Sequence, residues 1–270
     1  MRIHRNVTVK RLLLDLYQDI RCQKLLVRML GRPFQRSRRF IEIDLTYRCN
    51  LRCRNCNRSC TQAPADLDIS ISAIDALIRQ SLEKDVRWKR IRLLGGEPTL
   101  HPQFFDILDR LLSYRANHNP DLRIVVGTNG SGRRVQTVLD RLPDQVAIKN
   151  TYKSRRQRLF RPFNRAPLDR RRFVLCDLTA GCRILHDCGI GLTPLGYYPC
   201  AVAGGIDRVL GLRCGRRQLP SKNDEMRDQL AVCCPYCGHF GFAWPTRKTR
   251  ISPAWEKAYR YYEPRRPIQD

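Results

Sequence analysis

From residue 39 onward, apolar positions follow two alternating periods. "RFIEIDLT" (39–46) places Phe40, Ile41, Ile43 and Leu45 in the near-alternation of a strand. "SISAIDALIRQSL" (70–82) changes to helical spacing, with Ser72 and Asp75 at capping-box distance. "RIRLLGGEP" (90–98) predicts a strand ended by paired glycines, and "PQFFDILDRLL" (102–112) a helix opened by proline. "LRIVVGTNG" (122–130) is a third strand, followed by a helix near 131–142 and a strand at "QVAIK" (145–149). Ahead of this run, Val9, Leu12, Leu13, Leu16, Ile20, Leu26 and Leu30 mark an amphipathic helix expected to pack on the main domain, stopped by Gly31 and Pro33. Alternating strands and helices predict parallel β-α units, with the chemistry in loops at the strand C-terminal ends.

Past residue 149 the β-α rhythm fades. Residues 149–172 carry ten basic side chains against the single Asp169, a solvated connector or an anion-facing loop. "LHDCGIGLTPLGYYPC" (185–200) predicts a glycine-turned hairpin, and "CCPYCGHF" (233–240) closes a cysteine-rich segment. The chain therefore divides into an N-terminal helix and linker (1–38), a run of parallel β-α units (39–178), a small cysteine-rich extension (179–240) and a polar tail (241–270) expected to wrap the surface.

Thirteen cysteines change the picture. The N-terminus has no apolar run longer than Leu12–Leu14, so no export signal or membrane span is predicted. A cytoplasmic setting follows, in which clustered cysteines bind metal or carry redox chemistry rather than form structural disulfides. Four of them crowd into "CNLRCRNCNRSC" (49–60) directly after the first strand. Cys49, Cys53 and Cys56 supply three thiolates from one loop, which suits an iron–sulfur cluster with one open iron. With Cys60 added, the same loop suits a closed zinc site. The formal charge of +26 would attract nucleic acid, anionic substrates or an acidic protein. Because the arginines are spread along the whole chain, most of it reads as solvated surface.

Three motifs at three strand ends decide between these readings. "CNLRCRNC", "GGEP" (95–98) and "TNG" (128–130) stand in the order and spacing of the radical S-adenosylmethionine (SAM) enzymes, and residues 39–150 resemble that family. The resemblance implies a partial (β/α) barrel and a 4Fe-4S cluster on Cys49, Cys53 and Cys56. It also implies a SAM site made by Gly95, Gly96 and Glu97 with Thr128 and Asn129. Gly95 and Gly96 would let main chain approach the ligand. Glu97 would meet the SAM amino group or fix the turn, and Thr128 and Asn129 would reach the ribose or cap the next helix. Cys60 is a bystander or a thiol beside the cluster. Family members often carry an aromatic residue just before the third cysteine, near the adenine; Asn55 stands here, so adenine contact differs or is weaker.

The second cysteine group resembles the SPASM or twitch extensions of the same family, which hold auxiliary clusters. The resemblance implies ligation by Cys188, Cys200, Cys234 and Cys237, with Cys182, Cys214 and Cys233 as rivals and a structural zinc as the alternative. Cys22 and Cys176 read as core cysteines, and His186 and His239 as structural. The implied function is hydrogen abstraction from a small or medium-sized substrate, possible anionic character included, with a flavodoxin or ferredoxin as electron donor. A peptide-modifying maturase is the near alternative, weakened because about 38 residues before the first strand leave little room for a leader-binding domain. A zinc-binding nucleic-acid protein is the distant one, since it leaves the strand-end motifs unexplained.

Overall fold

The computed structural model describes residues 9–53, 55–152, 162–244, 246 and 251–262. Helices α1 (Val9–Arg21) and α2 (Lys24–Leu30) lead into strand β1 (Phe40–Thr46), then α3 (Ile71–Glu83) and β2 (Arg90–Gly95). Next come α4 (Phe104–His118), β3 (Arg123–Thr128), α5 (Arg133–Leu139) and β4 (Ala147–Asn150). The cysteine-rich part holds α6 (Arg183–Cys188), β5 (Ile190–Thr193), β6 (Gly196–Tyr198), α7 (Ala201–Leu210) and α8 (Arg227–Cys233), and the tail holds α9 (Pro253–Tyr259).

The strands form one six-stranded sheet in the order β4-β3-β2-β1-β5-β6. All neighbours are parallel except β5 and β6, so the barrel is partial and open. Alternation along each strand splits the two faces. Ile41, Ile43, Leu45, Ile91, Leu93, Ile124, Val126, Ile190 and Leu192 turn outward into the main core beneath α3 and α4. Glu42, Asp44, Arg90, Arg92 and Lys149 occupy the opposite, concave face, as their register shows. β5 pairs with β1, so the 179–240 segment shares a sheet with the barrel instead of standing apart.

Several local expectations change. The N-terminal helix is two helices, because Gln23 leaves the helix to bridge Cys176 and Lys24 N donates to Leu175 O at 2.9 Å. Its polar side faces inward: Asp15 is 3% exposed and Gln18 1%, while Val9 and Leu13 are 73% and 61% exposed. Asp19 pairs with Arg172 (3.3 Å) and accepts from Phe242 N (2.8 Å), so polar bonds, not the apolar stripe, dock it. The cap of α3 is Ser70, which accepts from Ala73 N at 3.2 Å; Asp75 binds Arg110 at 2.8 Å instead of closing a capping box. The tail contributes α9, whose Trp255 is fully buried in a second core with Phe163, Tyr198, Val202 and Ile206. Cys22 and Cys176 lie in a third, small core with their sulfurs 3.0 Å apart. No helix among the described residues is long and apolar enough to cross a membrane. Residues 153–161 of the basic run, which include Arg155, Arg156 and Arg158, lie outside the described residues.

Candidate radical SAM site

The cysteine loop springs from β1, and the two glycines after β2 exist to meet it. Gly95 has φ +131, and a Cβ there would stand 2.1 Å from Thr46 O; one on Gly96 would stand 2.2 Å from Arg48 O. No side chain fits either place. The close approach is thus to the root of the cysteine loop, which Gly96 N and Glu97 N clasp through Thr46 O (2.7 Å) and Arg48 O (2.8 Å).

Glu97 bonds across the turn. Its fully buried carboxylate accepts from Thr99 Oγ1 (2.9 Å), Thr128 Oγ1 (2.9 Å) and Asn129 N (2.8 Å). Burial pushes its pKa up, and the bonds from Asn129, Thr128 and Thr99 work against that rise. Thr128 and Asn129 do not cap α5, which has Gly132 at its N-cap. The Asn129 amide donates to Asn50 Oδ1 (2.9 Å) and points at Cys49 Sγ (3.9 Å). One carboxylate therefore ties the GGEP and TNG turns together, and one amide ties both to the cysteine loop. Glu97→Gln puts an N–H donor against the Asn129 N–H or against two hydroxyls. We expect it to lower the unfolding free energy by about 1–3 kcal/mol in urea titration.

Cys49 and Cys56 pack beside Cys60, Tyr47 and Ala65. Burial first and neighbouring Cys56 next push the Cys49 thiol up to about 12, with a smaller rise from Cys53. Such thiols keep their protons at neutral pH until a cation replaces them. Cys60 is buried and donates to Cys56, a thiol beside the ligand set rather than a bystander. Among the described residues no three His, Cys, Asp or Glu side chains sit close enough to hold a single metal ion. Soft sulfur donors and one adjacent amide donor do fit an iron–sulfur cluster.

Two arginines that sequence reasoning missed hold this loop down. Arg58 is buried with bonds to Asp44 Oδ2 (3.1 Å) and Glu42 Oε2 (3.7 Å) on β1. Burial works against its charge, but Asp44 and Glu42 outweigh it and keep the guanidinium protonated well above its ordinary range. Arg208 on α7 donates to the carbonyls of Pro64, Arg58 and Ser59 and stacks 4.2 Å from the Tyr47 ring. Asn55 accepts from Phe163 N at 2.6 Å, a structural job for the position where an aromatic residue was expected.

The second cysteine group lines an enclosed, largely apolar cavity beyond this loop. Cys182, Cys200, Cys234 and Cys237 border it with Cys233. Burial raises the Cys200 thiol, and Cys182 and Cys237 raise it further; Cys234 is raised by burial and then by Cys182, Cys237 and Cys200. Cys188 is not among the residues that border this cavity. It ends α6, and its thiol lies at Glu42 on the concave face of the sheet. Cys182 caps the other end of that helix. Cys233 is engaged with Cys214 at 3.7 Å. His186 contacts Asp187 at 3.2 Å, and the His239 ring lies 5.4 Å from Phe163, both structural. The knuckle at 234–237 is pinned through Gly238 N to Phe163 O (2.9 Å), so Phe163 links it to Asn55 of the first loop.

The strand-end geometry agrees with what this chain resembles. Residues 43–149 match the sequence model of the radical SAM superfamily. This segment is a radical SAM domain. The GTP 3',8-cyclase of Corynebacterium glutamicum is 32% identical over 125 residues, covering 45% of this chain and 33% of that one. The enzyme of the same name from Nautilia profundicola is 30% identical over 136 residues, 45% of this chain and 41% of that one. The chain thus spans less than half the length of these curated relatives. Among solved structures, BtrN in complex with AdoMet and 2-DOIA superposes with a TM-score of 0.44 at 14% identity, covering 81% of this chain and 100% of that one. Radical SAM domains use a 4Fe-4S cluster and SAM, and the donor set at Cys49, Cys53 and Cys56 fits such a cluster.

Proposed function

We propose that the chain uses its radical SAM domain to abstract hydrogen from a small or medium-sized substrate. In this reading an auxiliary iron–sulfur cluster takes up an electron from the oxidised substrate, and a flavodoxin or ferredoxin supplies the electron that starts the reaction. The observation that carries it is the meeting of all three strand-end motifs through Glu97 and Asn129. When bound, the cluster and SAM supply reductive cleavage of SAM to a 5′-deoxyadenosyl radical that attacks an unactivated carbon. The chain's own residues orient and enclose. Asn129 supports the Cys49 sulfur, Glu97 fixes the loops that frame SAM, and Arg58 and Arg208 anchor the cysteine loop over the concave sheet face. Hydrogen bonding to sulfur and burial are the protein's means of setting a cluster's potential.

The auxiliary cluster is assigned to Cys182, Cys200, Cys234 and Cys237. With four thiolates its irons are closed to substrate, which suits electron transfer better than substrate binding.

The test is iron and zinc per chain after anaerobic reconstitution, in the native sequence and with Cys49, Cys53 and Cys56 all changed to Ala. About eight irons falling to about four, together with loss of 5′-deoxyadenosine formation, is the expected result. Zinc in place of iron would return the chain to the nucleic-acid-binding class.

A further inference from the structure

The concave face of the sheet holds charges that neither cysteine site uses. Paired residues in a parallel sheet share a face, and the register sets Arg90 beside Arg123, Arg92 beside Val125, and Lys149 beside Gly127. Arg90, Arg92, Arg123 and Lys149 consequently border one cavity of about 650 Å³, whose lining includes a single carboxylate, Asp140.

Their charges are incompletely matched. Glu42 pairs with Arg92 at 2.6 Å. Arg90 donates to the Asp187 carbonyl and stacks 4.1 Å from the Phe40 ring. The Nε atoms of Arg90 and Arg92 are buried with no hydrogen-bond partner. Among the described residues neither Arg123 nor Lys149 has a carboxylate within ion-pair distance. Of the four lining cations, Arg92 is paired with Glu42, and Asp140 is the one carboxylate in the lining. Crowding is felt: burial and then Arg92 lower the pKa values of both Arg90 and Lys149.

The cavity also reaches the reactive end. Asn150 and Tyr152 border it, the Asn150 side chain lies against Gly130 of the TNG turn, and Thr151 N donates to Thr128 O at 3.0 Å. From the Arg90 row to Gly95 is five residues, about 16 Å at strand rise. That distance accommodates an anionic group at the arginine end with a ring or two between it and the strand ends.

We propose that this cavity binds the phosphate or diphosphate of a small phosphorylated substrate through Arg90, Arg92, Arg123 and Lys149. The inference rests on the radical SAM reading, since it names the substrate class of that same site. A phosphate monoester carries about −1.5 to −2 charges at neutral pH, which matches the surplus better than a single carboxylate does. Guanidinium groups present paired N–H donors that phosphate oxygens accept two at a time.

The probe is inorganic pyrophosphate, titrated calorimetrically against the reconstituted full chain at physiological salt, where the general +26 field is screened. Arg123→Ser with Lys149→Ser changes two exposed lining positions; Arg79→Ser with Arg87→Ser removes two exposed cations that do not line the cavity. Native and control proteins are expected to bind alike, and the lining variant at least about tenfold more weakly, roughly the loss of one charged hydrogen-bonded contact. Equal weakening in both double variants, or no binding to the native chain, would overturn the proposal. Iron content and SAM cleavage are measured on the same native preparation. If it cleaves SAM but does not bind pyrophosphate, the cavity assignment fails and the radical SAM reading stands. If it binds pyrophosphate but takes up no iron, the radical SAM reading fails and the substrate assignment falls with it.

Discussion

Replacing Cys182 with alanine is expected to remove about four irons per chain from the reconstituted protein, and replacing Cys188 to remove none. The two cysteines sit at opposite ends of α6, and only one of them faces the cavity that Cys200, Cys234 and Cys237 share. Gly189 explains the divergence. It turns the chain out of α6 with φ +74, and a Cβ at that position would stand 2.0 Å from Phe40 O, so β5 is drawn directly against β1. The Cys188 side chain is thereby carried to the concave face beside Glu42, Arg92 and Lys149. Cys200 also lies near enough to raise the Cys188 thiol, after burial and Glu42. The readouts are iron content and the visible absorption of the cluster, with Cys182→Ser as a second variant that preserves size. Loss of iron from Cys188→Ala with none from Cys182→Ala would restore the ligand set implied by the hairpin. Should either variant lose all of its iron, the two sites would be coupled through Phe163, which bonds to Asn55 on one side and Gly238 on the other.

The two ends of α6 show where sequence stops being informative. Hydrophobic alternation found each barrel strand to within a few residues, because Ile41, Ile43, Leu45, Ile91 and Leu93 must all leave water on the same side. The three strand-end motifs were legible for a related reason: glycine pairs and clustered cysteines are rare enough to stand out, and the topology requires that they meet. What sets Cys188 beside Glu42 is the pairing of β5 with β1, a contact between residues about 150 positions apart that leaves no periodic trace. The same blindness hid α1's orientation, where polar bonds from Asp19 to Arg172 and Phe242 override an apolar stripe. Ser70 and Ser72 are equally plausible caps in one dimension; only the helix start chooses between them. Arg58 and Arg208 were invisible because an arginine-rich chain offers no local signal that separates a buried arginine from a solvated one.

Arg58→Met is expected to destabilise the protein by about 3–5 kcal/mol, the range for removing one partner of a buried ion pair. Asp44 is fully buried, and Arg58 is the side chain shown donating to its carboxylate, through three contacts of 3.1–3.3 Å. Methionine fills much of the arginine stem's volume, so the loss measures stranded charge more than a hole. Glu42 would not be stranded equally, because Arg92 holds its other oxygen at 2.6 Å. The double variant Arg58→Met, Asp44→Asn is therefore expected to recover part of the loss, since it removes the unpaired charge and leaves the Glu42–Arg92 pair in place. Urea unfolding of the four proteins in the cycle gives the coupling directly, and a double variant as unstable as the sum of the singles would refute the pairing. The effect extends to chemistry. Arg58 lies two residues beyond Cys56, and its carbonyl accepts from Arg208, so the ion pair and α7 together hold the cysteine loop against the sheet. In conditions where Arg58→Met remains folded, SAM should bind more weakly and 5′-deoxyadenosine should form more slowly, while the auxiliary cysteines keep about four irons. An intact SAM affinity with lowered stability would confine Arg58 to the fold and leave the placing of the loop to Glu97, Asn129 and Arg208.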